Sequence, residues 1–169
     1  MQPSYKHYLK IIRNTCTGHK RPVTIPSEEL ADLARLAEEH CTVPFVLSSF
    51  RGTPFYSSML QRTRSMMLNY YQIDQFTRHT VSLLEDNGID CILLKGISLA
   101  SCYPVPEYRK LGDLDLYISR KSDISKAQKL LESHGYIAEN ELSDHHLTYH
   151  YTFPKTGRRF RSEERRVGK

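Results

Sequence analysis

Apolar residues along this chain keep two rhythms, one helical and one of strands. After Pro26-Ser27-Glu28-Glu29, the residues Leu30, Leu33, Ala34 and Ala37 recur at helical spacing as far as Cys41. That pattern predicts a helix with Ser27 as its N-cap, two acids in its first turn and a stop at Pro44. The first 25 or so residues are polar and aromatic, with Thr-Gly and Arg-Pro breaks and room for a short opening helix. Beyond the Gly52-Thr53-Pro54 break, Met59, Met66, Tyr70, Ile73, Thr77, Val81 and Leu84 form a stripe at spacings of three, four and seven. It predicts one long helix or two over residues 55–86, with Gly88 where a C-terminal glycine belongs. The Met and Tyr residues of the stripe read as core.

From residue 88 the rhythm changes. Ile89-Asp90-Cys91-Ile92-Leu93-Leu94 is a short apolar run between Gly88 and Gly96 and predicts a buried strand. A short helix over 97–103, a loop at Tyr103-Pro104-Val105-Pro106 and a second strand over 111–118 follow. Ser122 is placed to cap a helix whose face is Ile124, Ala127, Leu130 and Leu131, closing at Gly135. Residues 146–153 alternate, with Leu147, Tyr149, Tyr151 and Phe153 on one face and His146, Thr148, His150 and Thr152 on the other. A half-exposed strand is expected there, then a turn at Pro154-Lys155-Thr156-Gly157 and the start of a hairpin partner that is cut off.

The 169 residues are 39% hydrophobic and 25% charged, enough apolar material for a core, so wholesale disorder is excluded. No window reaches the roughly 18–20 apolar residues of a membrane span, and the first ten residues lack the apolar stretch of a secretory signal. Cys16, Cys41, Cys91 and Cys102 show no CxxC spacing. Reduced thiols in a cytoplasmic protein are expected, with Cys91 and Cys102 as buried packing residues. Residues 161–169, RSEERRVGK, contribute +2 of the net +5 charge. With them set aside, no basic stripe with interleaved aromatics argues for nucleic acid.

The strongest chemical signal is Asp113-Leu114-Asp115-Leu116. Strand alternation puts both aspartates on one face, with Cα atoms roughly 6.5–7 Å apart and Leu114, Leu116 and Ile118 toward the core. At that separation two carboxylates can converge on one hard divalent cation, which would also relieve their repulsion. A solvated strand edge, or the metal-binding DxD of a glycosyltransferase, would read the same way in isolation. The context lies 17 residues before Asp113, where Leu93-Leu94-Lys95-Gly96-Ile97-Ser98 runs from a strand through Lys-Gly into a helix. Gly96 lets backbone approach a ligand, the helix offers unpaired N–H groups, and Lys95 adds a positive charge. Together the two segments describe a metal-and-triphosphate site.

The stretch LLKGISLASCYPVPEYRKLGDLDLYI resembles the nucleotidyltransferase superfamily of the polymerase-β type. Within it, the chain is similar to an uncharacterised bacterial family with a Lys-Gly turn, a Tyr-Pro loop and an Arg before a Gly-Asp-hydrophobic-Asp strand. The match covers roughly residues 83–160. The resemblance implies that Asp113 and Asp115 bind Mg²⁺ (or Mn²⁺) carrying a nucleoside triphosphate. It places Lys95, Gly96 and Ser98 at the phosphates, although Lys-Gly-Ile-Ser departs from the superfamily's Gly-Ser pair. Arg109 matches the family's Arg and is assigned a phosphate or substrate contact, against the alternative of an ordinary surface Arg.

The fold implied is α+β with an α/β-type core: a helical region over 1–87, then a truncated nucleotidyltransferase core with a mixed sheet over 88–160. Residues 161–169 resemble the in-frame translation of a common short-read sequencing adapter and are expected to be non-native. The superfamily's third carboxylate, on a later strand, would fall just after Phe160. Glu163 and Glu164 are not assigned to it, and the chain as written is expected to be weakly active or inactive.

The function implied is nucleotidyl transfer from a metal-bound triphosphate to an unidentified acceptor, without membrane or nucleic-acid partners. The alternative is a non-catalytic module that binds nucleotide or protein on the same fold. Asp144, His145, His146 and His150 suggest a metal cluster, but His146 and His150 stand about 13 Å apart along a strand, too far for one zinc. Either histidine is instead a candidate to face the substrate cleft.

Overall fold

The computed structural model describes residues 3–18, 23–139, 146–152, 154, 157 and 159–165. The chain packs as two compact units: residues 1–71 with 100–110, and residues 72–99 with 111–169. The fold is α+β, with helices in the N-terminal region and the strands in the second unit.

In the first unit, α1 (Pro3–Cys16), α2 (Leu30–Glu39), the short α3 (Val43–Val46) and the first half of α4 (Tyr56–Asp86) supply the structure. Tyr8, Ile11, Leu33, Ala37, Val43, Val46, Phe50 and Met59 bury their side chains together. The stripe over 55–86 forms one continuous helix of 31 residues. Ser27 does not cap α2: a 3-10 turn over Ser27–Glu29 precedes it, and Glu29 N–H donates to the Pro26 carbonyl at 3.0 Å. The backbone thereby occupies a donor that a side-chain cap would have taken. Pro44 lies in the first turn of α3, where its missing N–H costs nothing, while α2 has ended at Glu39.

The second unit continues α4 and adds β1 (Cys91–Leu93), α5 (Ile97–Ala100), β2 (Leu114–Ile118), α6 (Ile124–Ser133), β3 (Ile137–Ala138), β4 (His146–Thr152) and β5 (Arg159–Arg165). Sheet order is β1-β2-β5-β4-β3. β2 and β5 are parallel and the other neighbours antiparallel, so the sheet is mixed. α4 ends in a Schellman motif: Gly88 N–H donates to the Glu85 carbonyl at 2.9 Å and Ile89 N–H to Leu84 at 3.0 Å, with Gly88 at φ 69°. α6 also starts from a 3-10 turn, with Asp123 N–H on the Arg120 carbonyl, and no side chain caps it, Ser122 included.

Two strands differ from the expectation. β1 is three residues long, not six, and lies at the sheet edge with Ile92 52% exposed, so it is not a buried strand. β3, with two residues, is too short to carry a period. β5 is the hairpin partner of β4, and it runs through Arg165 between β2 and β4. Phe160 is buried and stacks on Phe76 with ring centroids 5.1 Å apart. Tyr136 and Tyr151 stack on Phe76 as well, joining α4 to the sheet. β4 follows the expected alternation only in part: Tyr149 is buried and Thr152 exposed, but His150 and Tyr151 are both half-buried. Phe153, Lys155 and Thr156 lie outside the described residues.

Candidate functional site

The Lys-Gly turn leaves the end of β1, where Leu94 N–H donates to the Asp115 carbonyl at 3.1 Å and ties the turn to β2. Gly96 has φ 71°, in the left-handed region that side chains disfavour. A Cβ there would stand 3.5 Å from the Asp113 carbonyl oxygen, an ordinary contact, so the backbone angle rather than crowding asks for glycine. The helix expected over 97–103 is the single turn Ile97–Ala100. It is too short to supply the helix-end field expected of it, because the macrodipole needs aligned peptides to sum. The Ser98 hydroxyl donates to the Leu94 carbonyl and also approaches that of Lys95 at 3.4 Å.

Asp113 immediately precedes β2 and is half-buried, and Asp115 is the second residue of the strand. β2 is buried on both faces through Leu116, so Asp115 does not lie on the solvated strand edge that the aspartate pair would suggest in isolation. Asp115 is 1% exposed, and neither of its carboxylate oxygens accepts a hydrogen bond. The Lys95 ammonium stands 3.3 Å from Asp115 Oδ1, an ion pair without hydrogen-bond alignment, and its side chain is 51% exposed. A carboxylate removed from water without hydrogen bonds is costly unless a cation meets it. The two orphaned oxygens therefore fit a hard divalent cation. Among the described residues no group of three or more His, Cys, Asp or Glu could hold a metal. Asp113 and Asp115 would be its protein ligands, as suits Mg²⁺, which is held by one or two carboxylates with substrate phosphates and water.

Lys95, Gly96, Ser98, Asp113 and Asp115 belong to the second unit. Arg109 belongs to the first, where its guanidinium donates to the Tyr103 hydroxyl at 3.0 Å and lies 5.4 Å from that ring's centroid. Tyr103 packs on Phe45 in turn, with centroids 6.0 Å apart. Arg109 is thus held, half-buried, against the Tyr103 ring and hydroxyl. Cys102 is exposed and Cys91 half-exposed, so neither is the buried packing residue expected.

Register places other side chains around the aspartates. Asp115 pairs with the backbone of Glu163, which pairs with Thr148, so Asp115, Thr148 and His150 share one face of the sheet. His150 Nε2 is paired with Glu139 Oε1. Glu139 carries no periodic signal in the sequence, because it lies just beyond the two-residue β3. Asp144 and His145 lie outside the described residues. Leu93 pairs with Leu116 and shares the opposite face. There a cavity of about 240 Å³ is walled by Thr77, Val81, Leu93, Ile97 and Ser98 among others.

A sheet carrying a buried aspartate beside a Lys-Gly turn suits a protein that handles a phosphorylated ligand. Residues 26–166 match the family described as uncharacterised nucleotidyltransferase, and the chain belongs to that family. Membership supports nucleotidyl transfer as the general role and a nucleotide as substrate. No curated protein and no solved structure matches the chain. Among the described residues, no helix is long and apolar enough to cross a membrane.

Proposed function

We propose that this chain transfers a nucleotidyl group from a nucleoside triphosphate carried by Mg²⁺ or Mn²⁺ to an acceptor hydroxyl or a related nucleophile. The observation that carries the reading is the Asp115 carboxylate, 1% exposed with both oxygens unbonded, facing Lys95 at 3.3 Å. When bound, the metal supplies charge neutralisation at the phosphates as the transfer proceeds. Asp113 and Asp115 are its ligands in this reading. The backbone at Gly96 and the ammonium of Lys95 orient the phosphate chain, with Ser98 beside them. In the transfer, a bond forms between the acceptor oxygen and the α-phosphorus while the α-phosphorus bond to the pyrophosphate oxygen breaks. The acceptor proton leaves to water or base, and pyrophosphate departs. Arg109 is assigned to phosphate or substrate, and the protein to the cytoplasm.

The test is equilibrium binding of nucleoside triphosphate with and without Mg²⁺, on the parent chain and on Asp113→Ala with Asp115→Ala. The expected result is metal-dependent binding that the double variant loses. Binding that needs no metal, or persists unchanged in the double variant, would replace the enzyme reading with a non-catalytic nucleotide-binding module.

A further inference from the structure

We propose that Lys95 acts as the resident counter-ion of Asp115 and is handed from that carboxylate to the triphosphate when the metal arrives. The proposal rests on the metal-and-triphosphate reading above and adds a second task for Lys95, that of a positioning residue. Asp115 is buried and accepts no hydrogen bond, so its charge must be met by a cation. In this structure the Lys95 ammonium meets it, 3.3 Å from Oδ1.

The side chain suits a transfer. Lys95 is 51% exposed, so its stem is not locked in the core although its head reaches a buried oxygen. Lysine carries a compact charge on a flexible stem with three donors, which can be re-aimed without breaking a planar fork. Lys95 also sits next to Gly96, whose φ of 71° turns the backbone between β1 and α5, and so stands at the lip of the proposed phosphate site.

A divalent cation held by the Asp115 carboxylate and an ammonium 3.3 Å from its Oδ1 repel each other. Free metal must therefore displace Lys95 into water, and that displacement opposes its binding. A metal–triphosphate complex brings phosphate oxygens that accept the displaced ammonium, so the same movement favours its binding. Lys95 thus opposes the bare metal and favours the loaded one. The coupling is reciprocal: triphosphate strengthens metal binding by the factor by which metal strengthens triphosphate binding.

The experiment measures two affinities, free Mn²⁺ by electron paramagnetic resonance and preformed Mg²⁺–tripolyphosphate by calorimetry. The proteins are the parent chain, Lys95→Met, Lys95→Gln, Lys95→Arg, and Asp113→Ala with Asp115→Ala. Circular dichroism checks the fold of each, and Lys95→Gln serves if Lys95→Met does not fold. The neutral variants should bind free Mn²⁺ about tenfold tighter than the parent and the triphosphate complex at least tenfold more weakly. Lys95→Arg should keep the parent's weak affinity for free Mn²⁺. A lysine that only braced the fold would weaken both affinities in its neutral variants, and one that only touched phosphate would leave free Mn²⁺ unchanged. Either pattern overturns the proposal. If the aspartate double variant loses both ligands while the neutral Lys95 variants bind Mn²⁺ no tighter, only the hand-over fails. If the double variant binds both ligands like the parent, the metal-site reading itself fails, and the hand-over with it.

Discussion

Gly96 and Gly88 form a matched pair that separates the strain of a turn from its use. Both belong to the second unit, with φ of 71° and 69°. A Cβ on Gly96 would stand 3.5 Å from the Asp113 carbonyl, and one on Gly88 would stand 3.9 Å from Lys126 Nζ. Both distances are ordinary contacts, so replacement by alanine strains the backbone without a clash. Holding a non-glycine residue left-handed costs about 1–2 kcal/mol. A loss of that size lowers the melting temperature by about 2–4 °C per kcal/mol in a chain of this length, about 2–8 °C in all.

Gly96→Ala and Gly88→Ala should therefore lose similar stability in thermal unfolding. Gly96→Asn should lose less than Gly96→Ala, since asparagine tolerates the left-handed region better. Binding of Mg²⁺–tripolyphosphate should part the two positions. Relaxation of the strained turn at Gly96 moves the backbone beside Lys95, so affinity falls at least tenfold, whereas Gly88→Ala binds like the parent. Gly88 ends α4 and has no place in the proposed site. Equal binding by the two alanine variants would refute the assignment of Gly96 to phosphate and leave it a structural turn like Gly88.

Two further outcomes rest on single hydrogen bonds. Thr80 Oγ1 donates to the Phe76 carbonyl at 2.9 Å, so the Tyr136 hydroxyl, 2.7 Å away, is the donor between those two buried groups. Tyr136→Phe should cost about 1 kcal/mol in urea unfolding, because Thr80 keeps its bond to Phe76; a loss of several kcal/mol would show that the hydroxyl supports more than this contact. Tyr71 donates to Glu107 Oε1 at 2.7 Å, and that bond, with desolvation and the charge of Glu107 behind it, holds the phenol above its ordinary value. A raised phenol stabilises the folded state below the unfolded pKa near ~10, and the contribution is lost as pH rises through the folded value. Ultraviolet titration of Glu107→Gln should show one tyrosine ionising at lower pH than in the parent, and an unchanged profile would refute the pairing.

The helices were legible because their apolar residues follow one period: the stripe from Met59 to Leu84 became α4, with Met59, Ile73 and Leu84 in the core, although Met66 and Tyr70, expected there too, are only half-buried. Their first turns were not, since Ser27 and Ser122 carry the right chemistry for caps but the backbone satisfies itself through 3-10 turns. β5 was legible only as a hairpin partner for β4: five of its seven residues are charged, and its parallel pairing with β2 comes from the tertiary fold, which no local pattern encodes. The same non-local pairing decides Asp115. Alternation along Asp113-Leu114-Asp115-Leu116 separates two faces but does not say whether the aspartate face is wet, and only the strands and turn around β2 take that carboxylate out of water. A fold selected for stability alone would put an apolar side chain in such a position, because a buried ion pair seldom improves on well-packed hydrophobic residues. The one place where β2 departs from that rule is thus the place where the proposed chemistry needs a charge held ready, and the cost of holding it is what makes an incoming cation welcome.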